Sequence, residues 1–90
     1  THWDANLRDG ETAVALAEKA CELTAWTQPI LVDTLAGAYA EVGKFEEALT
    51  MAKRALREAE RTEQAEFAEF IRTCIALYEA GKPYHQTKPE

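Results

Sequence analysis

The 90-residue chain contains no serine, two histidines, two cysteines and one methionine, and each shortage removes a class of chemistry. Without serine, the commonest activated hydroxyl is gone. His2 and His85 lie in the two terminal segments, where no rigid shell holds an imidazole against a substrate. Cys21 and Cys74 are too few and too far apart for a disulfide framework or a zinc site. Both fall within apolar helical patterns and read as buried core thiols that are not bonded to each other. No glycine-rich phosphate loop and no His-Glu-x-x-His or Cys-x-x-Cys spacing occurs, so neither cofactor nor metal is expected. Glu46 with Glu47, and Glu63, Glu66 and Glu69, read as solvated helix faces and favourable first turns, not as catalytic carboxylate pairs. The expectation is a protein that is not an enzyme.

Positive charge is also scarce. Ten basic residues stand against 16 acidic ones, a net charge of −6, with no Lys or Arg block to meet a phosphate backbone. Nucleic acid is therefore not expected as a partner. No run of about 18 apolar residues could span a bilayer, and no basic-then-apolar stretch opens the chain like a signal peptide. No direct membrane contact is expected, and the compartment, cytoplasmic or periplasmic, stays open. The chain opens at Thr1 and its one Met51 lies well inside, which suggests a piece of a longer protein.

What is present is helix-forming. Hydrophobic residues make up 47% of the chain, prolines number three and glycines four, and alanine and glutamate fill the periodic stretches, so the pattern predicts one all-α domain. Asp9 is expected to cap a first helix over about Glu11 to Leu23, with Ala13, Val14, Leu16, Ala17, Ala20 and Cys21 at spacings of three and four. Thr27 or Gln28 should cap a second from Pro29 to Val42, stopped by Gly43. Gly43 and Lys44 permit only an antiparallel return into a third helix, about Phe45 to Glu60. Thr62 is expected to cap a fourth, Glu63 to Ala80, closed by Gly81 and Pro83, with a polar tail from Lys82 onto which Tyr84 could fold back. Trp26, in the loop before helix two, reads as a staple for that helix.

Sliding the chain on itself by 35 residues superposes Ala13, Val14, Ala17, Ala20 and Cys21 on Ala48, Leu49, Ala52, Ala55 and Leu56. Helices one and three are copies, as in a stacked helical array. From Pro29 to Thr62 the sequence resembles the tetratricopeptide repeat family. Leu35, Ala38 and Tyr39, then Gly43 and Phe45, then Ala48, Ala55 and Leu56 stand where that pattern expects them. Val32, Ala36, Ala52 and Glu60 replace its usual Trp, Gly, aromatic and Pro. The resemblance implies a full repeat over about 29–62, half repeats over about 10–28 and 63–84, and a tail over 82–90: an antiparallel helix-hairpin stack. The ending from Leu77 to Tyr84 also looks like the C-termini of long bacterial tetratricopeptide proteins.

The same resemblance implies a groove lined by the first helix of each pair. Matched position by position, that gives Ile30, Asp33, Gly37, Ala40 and Glu41 on helix two. On helix four it gives Ala68, Ile71, Ile75, Tyr78 and Glu79. The Lys, Arg and Asn set with which some relatives grip a peptide carboxylate is missing. An acidic, apolar groove implies an apolar or basic protein or peptide segment as partner. Helix four spreads Phe67, Phe70, Ile71, Cys74, Ile75, Leu77 and Tyr78 around more than one stripe. Its second face either covers a core edge or meets a partner, and the stripe Ile71, Ile75, Tyr78 is expected to drive self-association because helix four looks like a poor polar cap. The alternative to an interaction module is a terminal cap of a repeat array with no ligand of its own.

Overall fold

A computed structural model describes the backbone of residues 2–83 and the side chains of residues 10–83. Four helices account for the fold: α1 His2–Leu23, α2 Pro29–Glu41, α3 Phe45–Arg61 and α4 Ala65–Glu79. The all-α expectation holds, with no strand among the described residues. Expectations for the tail beyond Pro83, including Tyr84 and His85, lie outside the described residues.

Four small residues on α3 set the packing. Ala48, Ala52, Ala55 and Ala59 are fully buried, and their methyl groups let α2 and α4 approach α3 from two sides. Each helix packs along the next in sequence, α1 on α2, α2 on α3 and α3 on α4. Cys21 from α1, Val32, Leu35 and Ala36 from α2, and Ile71, Cys74 and Tyr78 from α4 complete the core. Tyr39, half-buried on α2, donates its hydroxyl hydrogen to Glu18 of α1 at 3.2 Å. Trp26 is half-buried against the core with the Arg54 guanidinium 4.6 Å from its ring, so it fastens the α1–α2 loop to α3.

All four helices end in one way. The amide of the residue two past the last turn returns to a carbonyl five residues back: Trp26 to Cys21, Lys44 to Tyr39, Gln64 to Ala59 and Lys82 to Leu77, at 2.8–2.9 Å. The residue before each of those amides has positive φ: Ala25 at 56°, Gly43 at 84°, Glu63 at 61° and Gly81 at 74°. Gly43 and Gly81 take that conformation freely; Ala25 and Glu63 carry a Cβ into it.

Three boundary expectations are corrected by these details. Helix α1 begins at His2, with Asp9 inside it and not at a cap. Gly10 is there for closeness: a Cβ on it would lie 2.7 Å from Cγ1 of Val42, so it lets the end of α2 sit against α1. Thr62 closes α3, returning its hydroxyl to the Glu58 carbonyl at 2.8 Å, and α4 starts at Ala65 after Gln64. Among the core-facing residues expected on α1, Leu16 is 66% exposed and Ala13 is exposed as well.

Helix α4 corrects the largest expectation. Ile71 and Tyr78 are buried, so the stripe proposed for self-association is core. What α4 turns outward is Glu66, Glu69, Thr73, Ala76 and Ala80, a polar and small-residue face. The outward face of the helix is thus polar and small, not the apolar stripe expected of it.

Glu63→Gly should raise stability by about 0.5–1 kcal/mol, the left-handed strain relieved less glycine's own entropic cost. Gly43→Ala should lower it by a similar amount, since open space around the position leaves only backbone strain. Urea midpoints of the two variants against the parent measure both, and midpoints that move in the same direction contradict the shared closure.

Candidate functional site

The polar group least reconciled with its surroundings is on α2. Asp33 is half-buried, its Oδ1 is closed off from solvent, and that oxygen has no hydrogen-bond partner. Burial alone pushes its pKa from 3.8 to about 6. One turn further on, Gly37 shares the face, and a Cβ there would come 3.8 Å from the Tyr78 hydroxyl of α4. The two helices therefore meet along a line of Asp33 and Gly37 on one side and Cys74 and Tyr78 on the other.

The chemistry of that line is acidic and reluctant to gain more charge. Cys74 is pushed up to about 11, first by burial and then by the Asp33 carboxylate, partly offset by a hydrogen bond with Tyr78. Tyr78 is raised by burial, by Cys74, and by the carboxylates of Asp33 and Glu41. Cys21, far along the stack, is raised mainly by burial, with Arg54 pulling the other way. Neither cysteine is bonded, and both are buried, as their apolar settings suggested. Thiols held protonated and covered do not act as nucleophiles at neutral pH.

The ten positions matched to a groove separate into three groups. Ile30, at 58% exposure, and Glu41 and Glu79 are exposed, while Asp33, Gly37 and Ile75 are half-buried. Ala40, Ala68, Ile71 and Tyr78 are buried and cannot touch a partner. Ala68, Ile71 and Tyr78 share with Cys74 the stripe that α4 packs into the core, so most of the face matched to a groove on α4 is its buried face. The unpaired state of Asp33 was not foreseen; an aspartate one turn ahead of Gly37, on a helix with apolar neighbours, was the sign of it.

Elsewhere the surface offers a depression of about 400 Å³ between the end of α3 and the start of α4, lined by Glu60, Glu63, Gln64, Ala68, Glu69 and Arg72. Arg72 is spent there on Glu60 and Glu69, each at 2.8 Å. Among the described residues no group of three His, Cys, Asp or Glu side chains could hold a metal ion. Among the described residues no helix is long and apolar enough to cross a membrane.

Comparison with protein-family models, with curated proteins and with solved structures finds no match to this chain.

Two measurements follow from this geometry. The folded-state pKa of Asp33 lies above its unfolded value, so ionising the group costs more in the folded chain, and the cost appears as pH rises from about 4 to above about 6. Asp33→Asn should therefore gain on the parent by about 1–3 kcal/mol between pH 4 and pH 7.5, with little difference in slope outside that window. Denaturant melts at several pH values read it; parallel profiles for the two proteins contradict the burial of the carboxylate. Cys21 and Cys74 should be nearly inert to a thiol reagent at pH 8 and both react once the chain is unfolded in urea. Fast labelling of Cys74 in the folded protein would contradict its placement.

Proposed function

We propose that this chain is a non-catalytic protein-interaction module built from tetratricopeptide-like helix pairs, which takes a segment carrying basic and apolar side chains along the face shared by α2 and α4. The observation that carries the reading is the unpartnered Oδ1 of Asp33, with Gly37 beside it leaving room and Ile30 exposed one turn before it. A half-buried carboxylate with no internal donor is costly, and an incoming ammonium or guanidinium removes that cost. Ile30 offers an apolar contact next to it, and Glu41 and Glu79 add negative potential around it.

The repeat reading draws support from burial. Under the 35-residue shift, Ala17 falls on Ala52, both buried, and Val14 falls on Leu49, both half-buried. The sequential packing of the four helices is what stacked helix pairs require. A second reading, the closing cap of a repeat array, is favoured by the polar outer face of α4, and it differs by predicting no ligand for Asp33.

A selection of random peptides against the immobilised chain tests the reading. Enrichment of Lys or Arg next to aliphatic residues is expected, with affinity falling at least tenfold on Asp33→Asn and falling again below pH 6 as the carboxylate takes up its proton. Acidic consensus peptides, or equal binding by the variant, contradict the module; no enrichment at all favours the cap.

A further inference from the structure

Among the described residues, α1 carries an exposed apolar stripe that the described helices leave uncovered. Leu16 and Leu23 are 66% and 77% exposed, and with Ala13 and Ala20 they recur at spacings of three, four and three, one stripe of a helix. The internal repeat says what kind of element belongs there. Shifted by 35 residues the stripe falls on Ala48, Met51, Ala55 and Glu58 of α3, where Ala48 and Ala55 are fully buried. Met51 lines a depression with Tyr39 of α2, whereas Glu60, on the other side of α3, is paired with Arg72 of α4. The α3 face equivalent to the bare α1 stripe is thus the one that α2 covers, running antiparallel. On the other flank of α1, Ala17 and Cys21 are buried, and α2 is the neighbour along which α1 packs. What α1 lacks is an antiparallel helix.

We propose that a second copy of this chain supplies it, through an antiparallel α1–α1 pairing about a two-fold axis. The stripe is self-complementary. With the axis midway between Leu16 and Ala20, Leu16 opposes Ala20 of the second copy and Ala13 opposes Leu23 of the second copy, so every layer sets a large side chain against a small one. The fourth helix cannot supply the missing element, because its outer face carries Glu66, Glu69 and Thr73. Two leucines per side make a patch well below the roughly 1,200–2,000 Å² of a standard interface, so the pairing is weak and half-complete at concentrations of about 0.1–1 mM. The chain's net charge of −6, and Lys19 from each copy beside the axis, oppose it, so added salt strengthens the pairing. This inference uses a different face from Asp33 and stands independently of the proposed function.

Sedimentation equilibrium of the whole chain from about 20 µM to 1 mM, in 0.05 and 0.5 M NaCl, tests it directly. A monomer–dimer equilibrium that tightens in the higher salt is expected. Leu16→Glu/Leu23→Glu and Leu16→Lys/Leu23→Lys should each be monomeric throughout, because every layer then sets a charge against an alanine. Leu16→Gln/Leu23→Gln serves if a charged variant does not fold, with the dissociation constant raised at least tenfold. A parent that stays monomeric at 1 mM overturns the proposal and leaves the face to a different polypeptide. Glutamine or glutamate variants that associate like the parent overturn it equally.

Discussion

Everything in this chain depends on how close two helices can come to α3. A leucine or phenylalanine stripe there would hold α2 and α4 at the ordinary distance of about 8–10 Å and leave the core filled from α3 itself. The four alanines do the reverse: they empty one side of each interface so that Val32, Leu35, Ile71 and Tyr78 fill it. A helix that is mostly charged on its outer face thus becomes the centre of the stack. The arrangement is intolerant of growth at those positions, since each added methylene has to be absorbed by two neighbouring helices at once.

Asp33 belongs to the same geometry. The Tyr78 hydroxyl of α4 also comes close to Gly37 of α2, and Asp33, one turn before Gly37, is desolvated by burial. The carboxylate is not buried for the sake of a bond it makes, since Oδ1 makes none. It is held in the wall between two helices whose packing is set by residues elsewhere, and the penalty is left in place. Natural cores keep such orphaned groups where an external donor relieves them, which is why the groove reading is attached to this residue and not to the more exposed Glu41 or Glu79.

The existence and type of all four helices were legible in the sequence, because alanine and glutamate periodicity and the glycines at 43 and 81 are local signals. Legibility failed where the cause was not local. Ala25 and Glu63 end helices in the left-handed region with no glycine to announce it, so Thr62 looked like the start of α4 when it was the end of α3. Asp9 looked like a cap, and the purpose of Gly10 beside it, contact with Val42, lies in another helix. The groove positions on α4 were misplaced because Ala68, Ile71 and Tyr78 belong to the stripe buried in the core, and apolar periodicity alone does not say which stripe of a helix faces inward. Ile30, Asp33 and Gly37 were placed on an outward or groove-side face of α2, but only the packed structure separates the exposed isoleucine from the half-buried aspartate.

The polar outer face of α4 has a consequence for aggregation. A short stack with apolar surface at both ends would join head to tail without limit, because each addition exposes the same ends again. In the proposed pairing the exposed α1 stripes of two copies meet across a two-fold axis and cover each other. With Glu66, Glu69 and Thr73 exposed on the opposite end, such a pairing would close at two and would not propagate into a fibre.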